Sequence, residues 1–292
     1  MGALSGFEHI VRQAEPLAPY TWFRLGGPAE YFAEPTSRDE LAALLVRCRE
    51  VDLPLRLLGG GSNLLVRAEG VPGVVIHLSA PAFCEITVRG EQITAGGGTK
   101  LGHVVSTSVR EGLAGLESLV GIPGTVGGAL RSNAAGQGSD IGQWTVAATV
   151  MTREGETITR ERHDLRFEYR KSSLDELVIL DARFHLDRED PATLTRRMQK
   201  VWIVKRSGQP SGEQGAGRVF IDPVGLSAAE LIDQTGLKGT RVGGAEICDR
   251  NPNFVVAGPG ASSDDVLRLV DIVRSRVAQH LGVELEMELQ VW

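Results

Sequence analysis

The 36 glycines of this 292-residue chain restrict its fold more than any other feature, because they are gathered and not spread. They cluster at residues 59–61, 96–98, 121–128 and 236–244, each beside apolar or strand-like segments. Glycine reaches positive φ without strain and lets a backbone or a ligand stand where a Cβ would be. A flexible linker mixes glycine with serine in a low-complexity run, and these clusters do not. They read as tight turns between strands, or as places where backbone meets a ligand.

Two clusters carry chemistry. The first is Leu58-Gly59-Gly60-Gly61-Ser62-Asn63-Leu64-Leu65-Val66. A strand enters, the bare loop turns, and a strand leaves, so backbone N–H groups can converge on an anion with Ser62 and Asn63 as extra donors. The pattern is not GxGxxG and no helix follows, which argues against a Rossmann site; the Gly-Lys-[Ser/Thr] of a Walker loop is missing too. A plain glycine turn in a β-rich domain is the competing reading. The second cluster is Gly121-Ile122-Pro123-Gly124-Thr125-Val126-Gly127-Gly128. It reads as a rigid loop able to present backbone N–H groups to a phosphate or to the polar edge of a flavin. Two such loops suit an extended ligand with a diphosphate in its middle.

Periodicity sets out the elements around them. Residues 37–48 read as a helix: Ser37 is a good N-cap, Glu40 follows three residues later, and Leu41, Leu44, Leu45 and Cys48 share one face. The runs 55–58, 64–66 and 73–78 read as strands, 85–88 with 92–94 as a hairpin, and 99–111 as a helix ending at Gly112. A second hairpin is expected at 146–151 and 157–160, a buried strand within 177–186, and a connecting helix at 193–204. The polar stretch 207–217 is the expected boundary. Beyond it come helices at 227–235 and 262–280, a strand at 254–257, and a terminal strand at 283–291.

Composition narrows the function. Lys and Arg number 31 against 37 Asp and Glu, a net charge of −6, which argues against non-specific nucleic-acid binding. Cys48, Cys84 and Cys248 are far apart and show no metal-ligand spacing, so reduced thiols are expected, with neither disulfides nor a metal site. No segment has the roughly 20 apolar residues of a membrane span, and the N-terminus has no basic start to an export signal. The chain is expected to be cytoplasmic.

The motifs in order resemble one family. Thr21-Trp22-Phe23-Arg24-Leu25-Gly26-Gly27-Pro28-Ala29, the loop at 59–66, Gly115-Leu116-Glu117, the loop at 121–128 and Phe167-Glu168-Tyr169-Arg170-Lys171-Ser172 are similar to UDP-N-acetylenolpyruvylglucosamine reductases of the MurB type. So are Gln209-Pro210, Gly215-Ala216-Gly217, Leu237-Lys238-Gly239, Gly243-Gly244-Ala245, Asn253-Phe254 and Leu285-Glu286-Met287-Glu288. The resemblance implies an α+β chain with the FAD-binding fold of the vanillyl-alcohol-oxidase (PCMH) type in two subdomains, residues 1–80 and 81–206. It further implies an α+β substrate domain at 207–292. The implied activity is FAD-dependent reduction of UDP-N-acetylenolpyruvylglucosamine to UDP-N-acetylmuramate with NADPH, a step in peptidoglycan precursor synthesis. The implied FAD contacts are Gly59, Gly60, Gly61, Ser62, Asn63, Leu64, Gly121, Ile122, Pro123, Gly124, Thr125, Gly127 and Gly128. Arg170 matches the arginine that grips the enolpyruvyl carboxylate, a task for a bidentate and permanently charged group. Glu288 matches the active-site glutamate. The expected partner is a small UDP-sugar, with no nucleic acid, no membrane and no metal, and the chain is expected to act as a monomer.

The match departs at the substrate. The family places a Ser or Cys proton donor where this chain has Arg218, and a basic residue where it has Ile221. Its Ser-x-x-His and Met-Asn-Ala-Gly appear here as Cys248-Asp249-Arg250-Asn251 and Ser132-Asn133-Ala134-Ala135. An arginine is a very poor acid. Three readings stand at this point: a working reductase with its proton from water, Cys248 or another group; a flavoprotein with a different substrate; or a non-catalytic FAD-binding paralogue.

Overall fold

The computed structural model describes residues 2–210 and 215–292; residues 211–214 of the expected boundary stretch lie outside the described residues. Two compact units are assembled from separated pieces of chain. Met1–Ala14, Glu30–Gly60 and Pro72–Val204 make the first, and Glu15–Ala29, Gly61–Val71 and Lys205–Trp292 the second.

The first unit rests on two sheets. One has the order Val11–Pro16, Pro28–Ala33, Val71–His77, Leu55–Leu58, with its last two strands parallel. The other is antiparallel, in the order Thr157–Glu161, Thr145–Met151, Val178–His185, Gln92–Gly96, Ile86–Arg89. Helix Arg38–Glu50, capped by Ser37 through Glu40 N–H, places Leu41, Leu44, Leu45 and Cys48 in a core with Val74, Ile76, Met151, Val178 and Leu180. Burial pushes the Cys48 thiol up to about 11, and all three cysteines are unbonded.

Strand Val178–His185 is apolar on both faces because both are covered. Val178 and Leu180 face one core, while Ile179, Ala182 and Phe184 face the other. Even-numbered residues change sides within the strand. The cause is a register shift, in which Thr149 pairs with Asp181 but Val150 with Ile179. One extra residue in a strand reverses the facing of all that follows.

The second unit carries an antiparallel sheet in the order Ala216–Arg218, Phe254–Ala257, Ala245–Ile247, Arg241–Val242. Helix Ser263–Leu281 buries Val266, Leu269, Val270, Val273 and Val277 in the same core as Ala228, Leu231 and Ile232 of helix Ala228–Gln234. Phe23 and Leu65 complete that core from the earlier segments.

Several expected boundaries change. The 283–291 strand shrinks to Gln290–Val291, paired in parallel with Leu64–Leu65. The stretch before it bonds irregularly, with Ile221 N–H donating to the Glu286 carbonyl and Glu288 N–H to that of Val219. The 121–128 loop ends in a short helix, Val126–Arg131, which Gly127 and Gly128, weak helix formers, conceal in the sequence. The 99–111 helix runs over Leu101–Arg110, and the connecting helix over Pro191–Gly208. Among the described residues no helix is long and apolar enough to cross a membrane, and no cluster of metal-ligating side chains is present.

Candidate active site

The two glycine loops meet within the first unit. A Cβ on Gly60 would stand 2.5 Å from Gly124 Cα, and one on Gly59 would stand 2.9 Å from Thr125 Oγ1. Both contacts need bare backbone. The 121–128 loop is itself held against residues 97–101, a segment the motif reading did not include. Gly127 N–H donates to the Gly97 carbonyl at 2.8 Å, Val126 N–H to that of Thr99 at 2.9 Å, and Leu101 N–H to that of Gly124 at 3.0 Å. Gly121 and Gly124 have φ of 77° and 108°, values open to glycine and strained for other residues. Thr125 caps the short helix by accepting from Gly128 N–H. Ile122 packs against the core and Pro123 stiffens the turn.

This arrangement leaves backbone donors unspent. Among the described residues, the N–H groups of Gly60, Gly124 and Thr125 in the first unit donate no hydrogen bond, and Thr99 Oγ1 of the same unit is buried without a partner. Unpaired donors on a glycine backbone, beside a buried unpaired hydroxyl, fit a polar anionic group such as the diphosphate of FAD. The Asn63 side chain is engaged elsewhere in the second unit: its Nδ2 donates to the Glu288 carbonyl at 2.9 Å. Leu64 is buried in the short strand beside Gln290. A Cβ on Gly61 would collide with the Tyr20 carbonyl.

Arg170 sits at the tip of a hairpin whose arms are Phe167–Glu168 and Lys171–Ser172. Its φ of 59° is left-handed, a conformation that non-glycine residues hold only when the surroundings impose it. The surroundings here are Asn133 and Gly142. The Asn133 amide is buried; it donates to the Glu168 carbonyl at 2.9 Å and accepts from Gly142 N–H at 3.1 Å. Phe167 covers Gly142 so closely that a Cβ there would collide with its ring. The guanidinium lies 5.7 Å from the centre of the exposed Tyr169 ring.

Glu288 belongs to the second unit, where the structure groups it with Arg218 and Asp222. Arg218 Nη2 lies 2.6 Å from Asp222 Oδ2, and Arg218 Nε lies 3.4 Å from Glu288 Oε2. Asp222 Oδ1 also accepts from Ala228 N–H at 2.9 Å. The strand segment bearing Arg218 is clamped by Asn253, whose Oδ1 accepts from Phe220 N–H and whose Nδ2 donates to the Phe220 carbonyl, both at 2.8 Å. Neither Asp222 nor Asn253 was singled out as a site residue from the sequence. Asn253 stood only within the Asn253-Phe254 motif. Cys248 is buried at the end of strand Ala245–Ile247.

Comparisons with known proteins bear on both units. Residues 209–292 match the UDP-N-acetylenolpyruvoylglucosamine reductase C-terminal domain, and residues 29–160 match an FAD binding domain. The UDP-N-acetylenolpyruvoylglucosamine reductase of Rhodopirellula baltica is 41% identical over 97% of this chain and 93% of its own length. The chain belongs to the UDP-N-acetylenolpyruvoylglucosamine reductase (MurB) family. A Bradyrhizobium reductase of the same name is 41% identical over 94% of the chain and 90% of its own length. The crystal structure of MurB from Thermus caldophilus superposes with a TM-score of 0.82 at 37% identity, covering 97% of this chain and 98% of that one. The α+β FAD-binding fold expected from the motifs is therefore the fold of this MurB chain.

Proposed function

We propose that this chain reduces UDP-N-acetylenolpyruvylglucosamine to UDP-N-acetylmuramate, with NADPH as reductant and FAD as cofactor, in the synthesis of peptidoglycan precursors. The observation that carries the proposal is the likeness to the Rhodopirellula baltica reductase at 41% identity over 97% of the chain. A likeness of that extent spans both units, and nothing in the comparisons favours a different substrate or a non-catalytic paralogue.

FAD, when bound, supplies a carrier that accepts hydride from NADPH and gives it to C3 of the enol ether. The chain supplies the rest. The unspent backbone donors of Gly60, Gly124 and Thr125 take the diphosphate, and the bare glycines admit it. Arg170, held at a rigid hairpin tip, takes the enolpyruvyl carboxylate, where negative charge builds as C3 receives hydride. Glu288 acts on the same substrate from the C-terminal segment, residues 207–292, which is proposed as the substrate domain. Arginine is a very poor acid, so with Arg218 in the donor's place the proton for C2 comes from water or another side chain. The finer readings belong to the same proposal: a cytoplasmic monomer that binds no nucleic acid, the last supported by the net charge of −6.

Anaerobic stopped-flow decides it. The purified protein should be yellow and release FAD on denaturation. NADPH should bleach it, and UDP-N-acetylenolpyruvylglucosamine should restore the colour. Bleaching without restoration would sink the substrate assignment, and colourless protein that takes up no FAD would sink the cofactor assignment.

A further inference from the structure

We propose that Arg218 and Asp222 are a positioning pair for Glu288, with Asp222 orienting the guanidinium and the guanidinium fixing one oxygen of the glutamate. The proposal rests on the reading that Glu288 acts on the substrate.

The geometry is a chain of charged contacts with a fixed far end. Asp222 Oδ1 is tied to Ala228 N–H at 2.9 Å, and its Oδ2 takes Arg218 Nη2 at 2.6 Å. Arg218 Nε then faces Glu288 Oε2 at 3.4 Å. A guanidinium is planar, so fixing Nη2 on Asp222 fixes the direction of Nε as well. Glu288 Oε2 is buried and makes its contact with Arg218 as an ion pair, not a hydrogen bond, while the side chain as a whole keeps 15% exposure. The carboxylate thus has one oxygen turned inward to the guanidinium. Its backbone is held independently, by Val219 through Glu288 N–H at 2.7 Å and by Asn63 Nδ2 at 2.9 Å.

The same cluster argues against the simplest alternative, that Arg218 is a hook for a substrate carboxylate or phosphate. Two nitrogens of the guanidinium already face carboxylates of the protein, which leaves fewer donors for a substrate anion. Arg218 spends its Nε and Nη2 on the protein.

Asp222→Asn is the sharpest variant. Its amide oxygen can still accept from Ala228 N–H, so the helix contact survives, but an NH2 donor now meets the Nη2 donor of Arg218. Reoxidation of the NADPH-reduced holoenzyme by UDP-N-acetylenolpyruvylglucosamine should slow roughly 10- to 100-fold, the loss expected when a reacting group is misplaced by about 1 Å. The loss should fall on the limiting rate and not on the sugar concentration for half-saturation. Reduction of the flavin by NADPH should change far less. Arg218→Met should match Asp222→Asn, the double variant should be no worse than Arg218→Met alone, and Arg218→Lys should recover part of the rate. In a Glu288→Gln background neither change should matter further.

A wild-type rate in Asp222→Asn, equal loss in both half-reactions, or additive losses in the Glu288→Gln background would overturn the proposal. A crystal structure of the Asp222→Asn holoenzyme gives a readout independent of turnover: the Glu288 carboxylate should leave its place beside Arg218, and a carboxylate that stays put refutes the pair. If the wild-type reduced enzyme is not reoxidised by the sugar at all, the proposed function fails, while the crystallographic arm still decides the positioning claim.

Discussion

Gly60 is where the first glycine loop lies against the backbone of the second. Its missing Cβ would stand 2.5 Å from the backbone of Gly124, and backbone cannot swing aside as a side-chain tip can. Gly60→Ala should therefore separate the loops and release FAD on gel filtration, while far-UV circular dichroism stays near wild type; a variant that keeps a full complement of flavin would refute the cradle. Arg170 poses the complementary question, since its left-handed backbone is imposed by the hairpin and by Asn133 and not by its own preference. Arg170→Met should slow reoxidation by the enolpyruvyl sugar about 100-fold, the usual loss for one fixed donor to a developing anion. Bleaching by NADPH should change much less, because NADPH brings no enolpyruvyl carboxylate. Equal loss in both half-reactions would remove Arg170 from substrate binding.

Elements were legible where a local rule governs them. Helix Ser263–Leu281 is announced by Ser262, and the structure closes a capping box there: the Ser262 hydroxyl accepts from Asp265 N–H at 3.1 Å and the Asp265 carboxylate from Ser262 N–H at 2.9 Å. At the far end Gly282 takes a φ of 68°. Ser262→Ala should lower unfolding free energy by about 1 kcal/mol in urea titrations; an unchanged midpoint would show that tertiary packing alone holds the helix start. The Asp265 carboxyl lies below its ordinary value because the Ser262 backbone N–H, and then its hydroxyl, stabilise the charged form. A carboxyl depressed on folding adds stability above its unfolded value, near pH 4, and that stability is lost as pH falls through the lower folded value. The effect of Asp265→Asn on stability should accordingly shrink in acid, as thermal melts from pH 7 down to pH 3 would reveal. The hairpin arms Thr145–Met151 and Thr157–Glu161 and the strand Phe254–Ala257 fell within a residue or so of expectation, since alternation and turn residues mark them.

At the scale of the molecule, neither unit is a contiguous stretch of chain. Residues 61–71 belong to the second unit, although they lie between two long segments of the first. The loop Gly59–Asn63 thus passes from one unit to the other between Gly60 and Gly61. A ligand that binds the folded chain and not the unfolded one stabilises it by mass action, about 2.7 kcal/mol at a hundredfold excess over its dissociation constant. FAD removed from the protein and returned in steps should raise the melting temperature progressively. A melting temperature independent of FAD would mean that the cofactor adds nothing to the folded state.

The sequence by itself determined the amphipathic helices, most strands, both glycine loops and the family. These depend on periods of two and 3.6 residues, on caps and turns, and on motif order, all written over short distances. Only the tertiary structure decided which distant groups share a site. That Asn63 spends its amide on Glu288, that residues 97–101 brace the 121–128 loop, and that Asn253 clamps the strand bearing Arg218 are pairings across many residues with no periodic trace. The sequence showed Arg218 as a proton donor lost. The fold brought Asp222 and Glu288 to its guanidinium, because a charged side chain at the end of an edge strand is defined by the groups that packing brings to it, and not by its neighbours along the chain.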